Sequence, residues 1–301
     1  MLFSLDRETE SACNPDTQAT IPTLMEFDML DRLIETLRRF MNKMPDAKST
    51  VESSTNDLAV ALARLDAVAI PELVRPPVPH DEPPTDDLVA WAVRVYCYSA
   101  LCQFRELLRA TLLLVDADHV SAVFFSCRGL FELAAHSYYV KKHVMQYLKA
   151  RNTWLAWQFL FEINLGSRDM RQKQKAQGAE PDYPEGPHIA KVIACFNEFF
   201  PDGQKVKQAT EIYSSLSEFS HPNSFAFINH FEWEIDVRDM PKVSFGKPSK
   251  NLLALCLPAG SMAVMAFLAS SGELVRRVGD VELAKALGKI VGELLEIKQD
   301  A

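Results

Sequence analysis

The sequence predicts an all-α protein, a multi-helix bundle built around long central helices, and three observations carry that expectation. Apolar residues recur at three- and four-residue steps through most of the chain, the spacing of one face of a helix. Glycine is scarce, 11 in 301 residues, while the helix formers Leu, Ala, Glu and Met abound. With 48% hydrophobic residues the chain can build a substantial core, and no repeat of fixed period runs through it.

The first predicted helix spans about 23–44, where Thr23 and Glu26 form a capping box and Phe27, Leu30, Ile34, Leu37, Met41 and Met44 make one apolar stripe. A second, about 56–69, carries Leu58, Leu62 and Leu65 and stops before Pro71. Six prolines between Pro71 and Pro84 forbid helix and favour extended chain. The expected organisation is therefore a leader and helical hairpin over 1–70, a proline-rich linker over 71–85 and a main helical domain over 86–301.

The main domain opens with a long helix at about 86–115, whose acidic first turn suits the helix dipole, and a second at about 119–150. "NTWLAWQFLFEIN" starts a third that becomes polar in "SRDMRQKQKAQGAE" and ends in a loop. Shorter helices follow at about 188–200 and 203–220, separated by the turn signal "PDG". Alternating Phe, Trp, Ile and Val around "RDMP" then predict a short β-hairpin near 225–246. Helix returns at about 249–278 and about 281–297.

The formal charge of −8 opposes loose adhesion to nucleic acid or anionic lipid, though it leaves room for a local basic face. Cys13, Cys97, Cys102, Cys127, Cys195 and Cys256 are scattered through apolar helical text, as suits buried thiols in a reducing cytoplasm. The first residues have no basic stretch leading into a long apolar run and read as a loose leader. Residues 251–272 carry no charge and are long enough to span a bilayer, but Pro258, Gly260, Ser261, Ser270 and Ser271 dilute them. The expectation is a central buried helix in a cytoplasmic protein.

Two polar clusters carry the candidate chemistry. The helix "HVSAVFFSCRGLFELAAHSYYVKKH" is apolar around nearly its whole circumference, yet it holds Arg128, Glu132 and His136 at successive four-residue steps. Buried charges are costly unless paired, so Arg128 and Glu132 either form an ion pair that orders the bundle or line a pocket. In a pocket, Arg128 would bind a phosphate or carboxylate and Glu132 would orient a histidine.

The second cluster is "YSSLSEFSHPNS". Tyr213, Ser217 and His221 fall four apart on one helical face, and Pro222 biases His221 out of helical geometry. His221 thus reads either as a cap on the last carbonyls or as a general acid or base held by serine or tyrosine. Metal-ligand spacings of the H-E-x-x-H or paired E-x-x-H kind are absent, as are phosphate-binding glycine loops and nucleophile elbows, so no metal or cofactor is expected. The basic run "RDMRQKQK" lacks interleaved aromatics and reads as a solvated helix end.

Together, "CRGLFELAAHSYYV" and "YSSLSEFSHPNS" resemble a family of uncharacterised, mainly bacterial helical proteins with an Arg-Gly/Ser-Leu-Phe-Glu helix and a Tyr-x-x-Leu-Ser-x-x-x-His-Pro/Gly segment. The resemblance covers about 86–277, and its shared polar positions are Arg128, Glu132, Tyr213, Ser217 and His221. That layout is similar to the HEPN group of helical domains, many of them metal-independent RNases in toxin–antitoxin or phage-defence systems. The chain departs from the group's R-x4-6-H signature, because seven residues separate Arg128 from His136 and the formal match, Arg75 to His80, lies in the proline linker.

The analogy implies RNA as a partner, with Arg128 on the scissile phosphate, His221 as acid or base toward the ribose 2′-hydroxyl, and Glu132 orienting one of them. It also implies a bacterial stress or phage-defence setting. The other class of expectation is a non-enzymatic helical module whose polar cluster fixes packing. In that case the amphipathic first helix would pair with a second copy of the chain or with another protein.

Overall fold

The computed structural model describes residues 47–77, 83–166, 168–178, 186–200, 207–220, 231–234, 242–245 and 250–299. The chain divides after Asp46, and every described residue belongs to the second unit. The helix expected over 23–44 lies outside them, as do His221, Pro222 and Asn223.

The described elements form an all-α bundle, with helices α1 (Ala47–Asp66), α2 (Asp86–Asp116), α3 (Val120–Lys149), α4 (Thr153–Leu165), α5 (Arg168–Ala176), α6 (Ile189–Phe196) and α7 (Gln208–Ser220). Two short strands follow, β1 (Phe231–Glu234) and β2 (Lys242–Phe245), then α8 (Leu253–Arg277) and α9 (Val281–Gln299). The strands pair antiparallel with Phe231 opposite Phe245 and Glu234 opposite Lys242, within the predicted hairpin region.

Side-chain caps and left-handed residues set the ends of the long helices. Thr85 Oγ1 accepts from the Leu88 N–H at 3.2 Å, and Asp86 and Asp87 occupy the positive end of the α2 dipole. At the other end Asp118, with φ 59°, turns the chain so that the His119 N–H reaches the Leu114 carbonyl at 2.9 Å. The same device ends α3: Arg151 takes φ 54°, the Asn152 N–H reaches the Tyr147 carbonyl, and Asn152 Oδ1 then caps α4.

The sequence predicted one helix through 153 into the polar run, and the structure breaks it into α4 and α5. Gly166 is the reason: a Cβ there would stand 2.2 Å from the Glu162 carbonyl oxygen, a contact only glycine avoids.

Helix α8 is the centre. Its small residues let neighbours approach on several sides, since a Cβ on Gly260 would lie 3.3 Å from Cys127 Sγ of α3 and 3.8 Å from the Leu58 side chain of α1. Phe267 stacks on Phe104 of α2 at 4.1 Å, and Leu287 of α9 comes within 3.6 Å of a Cβ built on Gly272. Cys127 beside Gly260 and Lys141 beside Glu273 put α3 and α8 side by side in the same direction. Residues Lys250–Arg277 are long and apolar enough to cross a membrane, and 67% of the apolar window is buried within the bundle.

Helix α1 corrects the expected domain organisation. The helix predicted from about 56 is already formed at Ala47, the first described residue, and its Leu58, Ala61 and Leu65 are completely buried in the same core as α3 and α8. Ser261 of α8 also donates to the Ser54 carbonyl at 3.3 Å. The proline segment does not hold this helix apart: Arg105 of α2 donates to the Val68 carbonyl, and Arg75 lies over the Trp91 ring. A lone amphipathic helix gains its stability by covering an apolar face, and here that face belongs to the main body.

Candidate functional site

The first candidate cluster forms where α7 crosses α3. Asn197, in the turn after α6, fixes the start of α7: its Oδ1 accepts from the Ala209 N–H at 2.9 Å and its Nδ2 donates to Thr210 Oγ1 at 3.0 Å. Ala209 and Leu216 of α7 are buried, and Phe219 stacks on Phe124 of α3 at 4.6 Å. Tyr213, one helical turn from each of those buried residues, is thereby carried onto the polar stripe of α3.

Arg128, Glu132 and Tyr213 meet there in a closed ring of hydrogen bonds. Arg128 Nε donates to Glu132 Oε1 at 2.9 Å, Arg128 Nη2 donates to Tyr213 Oη at 2.9 Å, and the Tyr213 hydroxyl donates to the same Glu132 Oε1 at 3.0 Å. Each of these three donors points at a complementary acceptor. The guanidinium also lies 5.2 Å from the Tyr213 ring centroid, a cation–π contact.

The ring is only partly shielded, with the Arg128 and Glu132 side chains 22% and 32% exposed. Burial works against the Arg128 charge, but the hydrogen bonds it donates to Glu132 and Tyr213 outweigh it and raise the arginine's pKa. The cation is held more firmly than in water. Arg128 is therefore a poor proton donor and a committed hydrogen-bond partner.

The other predicted residues go elsewhere. Ser217 Oγ is buried and has no hydrogen-bond partner among the described residues, so it does not join the ring, and His221 lies outside those residues. His136, the next member of the stripe, has rotated toward α2, where its Nδ1 stands 2.9 Å from Tyr96 Oη. Tyr96 Oη is also 3.4 Å from Ser137 Oγ. Burial pushes the His136 pKa below 6.5 and the Tyr96 pKa far above 10. Eight residues of helix turn by about 80° beyond two full revolutions, which is why one stripe serves two neighbours.

Tyr96 escaped the sequence reading because a tyrosine in an apolar helix has no signature that separates it from ordinary core. The same holds for Asp280, which follows α8 and receives the Tyr98 hydroxyl at 3.2 Å with Arg94 at 3.8 Å. Burial and then the Asp280 charge push Tyr98 up to about 12. Among the described residues no group of three or more His, Cys, Asp or Glu is placed to hold a metal ion.

Comparison of the chain with protein-family models, with curated proteins and with solved structures finds no match. The functional reading therefore rests on the geometry of the chain's own residues.

Proposed function

We propose that the protein is a cytoplasmic helical module that acts by binding, and that Arg128, Glu132 and Tyr213 lock α7 against α3 instead of turning over a substrate. The closed ring carries the reading. A catalytic arginine needs donors directed at the substrate, whereas Nε and Nη2 of Arg128 are both directed at protein acceptors. The bacterial stress or phage-defence setting, suggested by the family resemblance, fits a module of this kind.

The second reading is a HEPN-like, metal-independent RNase using Arg128 and His221. It is favoured by the way Tyr213 brings the α7 row to Arg128, with α7 ending at Ser220, the residue before His221. In that reading RNA must displace Glu132 or Tyr213 from the guanidinium.

Incubating the purified protein with total cellular RNA, beside His221→Ala and Arg128→Ala, separates the two. The binding reading predicts intact RNA in all three reactions. Cleavage by the wild type that well-folded His221→Ala loses would establish the nuclease instead.

A further inference from the structure

At the far end of α3 from its first turn, the last turns of α3 and α8 lie side by side around an open hollow of about 700 Å³. Lys142, Lys149, Arg276 and Arg277 line it with Met145 and Gln146. Four cations thus meet in one concavity of a chain whose formal charge is −8. Lys142 is compensated by Glu198 at 2.6 Å, and nearby Lys141 by Glu273 at 3.2 Å. Among the described residues Lys149, Arg276 and Arg277 have no ion-pair or hydrogen-bond partner.

Basic residues are common in a last helical turn because they complement the dipole and the exposed carbonyls. Here backbone groups already cover several of those carbonyls. The Gln146, Tyr147 and Leu148 carbonyls accept from the Ala150, Asn152 and Arg151 N–H groups, and the Val275 and Arg276 carbonyls accept from Asp280 and Gly279. Lys149, Arg276 and Arg277 are exposed. Arg277 also borders a second hollow with Arg151, Asp86 and Asp87, so its own field is partly balanced on that side.

We infer that this hollow between the ends of α3 and α8 binds a small anion carrying two or more phosphate groups. Its volume lies in the range of about 300–1,000 Å³ typical of small-molecule sites. Two arginines offer planar forks that match phosphate oxygens, and Lys149 adds a point charge. A compact anion needs only the local field, whereas a long nucleic acid would also meet the repulsion of the net negative surface. The inference deepens the reading of the protein as a binding module and uses none of the residues of the Arg128 ring.

Isothermal titration of the full chain with inorganic tripolyphosphate tests it, with wild type, Arg276→Ala/Arg277→Ala and Lys285→Ala compared at about 0.1 M salt. Binding by wild type and Lys285→Ala, weakened at least tenfold in the double variant with unchanged circular dichroism, is the expected result. No binding at millimolar tripolyphosphate, or equal binding by all three proteins, overturns the site. A single-stranded RNA oligomer that binds more tightly than tripolyphosphate overturns the assignment to a small ligand. Failure here leaves the Arg128 ring untouched, and RNA cleavage dependent on His221 would overturn the binding reading without altering this titration.

Discussion

Tyr213 of α7 places one oxygen between a donor and an acceptor, while His136 sits one turn beyond Glu132 on α3 with its ring nitrogen against a phenol. Both were reachable from spacing to different degrees. The four-residue step of Arg128 and Glu132 made their pairing legible, and the step from Tyr213 to Ser217 marked one face of α7. Which of that face's residues would touch α3 was not legible, because it depends on how Asn197 aims the helix. His136 gives a pH test. Burial holds its native pKa below 6.5, so under about pH 6.5 the unfolded chain takes up a proton that the native state resists. Stability is full above that pH and falls as the solution is acidified through it. His143, lowered by burial and then by Lys142 and Lys191, adds in the same direction. His136→Gln should lose less stability than wild type between pH 7.5 and 5.5, read as urea midpoints on the scale of about 1.4 kcal/mol per unit of pKa. Parallel pH profiles would remove His136 from the account.

At the scale of elements, α8 shows how composition and packing interact. In the sequence Gly260 and Ser261 dilute a membrane-like segment, and the structure uses these two residues for close approach to α1 and α3. Helix propensity favours Ala over Gly by about 1 kcal/mol, which applies without opposition at Gly288 of α9, where an added Cβ meets nothing within 4 Å. Gly288→Ala should raise the free energy of unfolding by up to that amount, read from equilibrium urea unfolding. Gly260→Leu should lower stability by about 1–3 kcal/mol, since the side chain must enter the space held by Cys127 and Leu58. A Gly260→Leu protein as stable as wild type would mean that α8 does not pack as described. Periodicity located the helices of the main body to within a few residues, but it could not show the break at Gly166, because that break depends on how closely the chain after α4 folds back on the Glu162 carbonyl.

For the whole molecule, all-α architecture followed from helical spacing and scarce glycine, while the boundary at the proline segment did not hold for α1. Prolines prevent a helix there, yet they do not stop the chain from lying along α2 through Arg75 and Trp91. The burial of α8 predicts recovery of the expressed protein from the supernatant without detergent, and extraction only by detergent would make Lys250–Arg277 a membrane span. The ring of Arg128, Glu132 and Tyr213 joins α7 to α3, and the proposal that it is a lock stands or falls on its coupling energy. Equilibrium urea unfolding of wild type, Arg128→Met, Tyr213→Phe and the double variant measures it, with phenylalanine keeping the ring and removing only the hydroxyl. The account predicts a coupling of about 1–2 kcal/mol between the two positions, and additive effects within about 0.3 kcal/mol would contradict it.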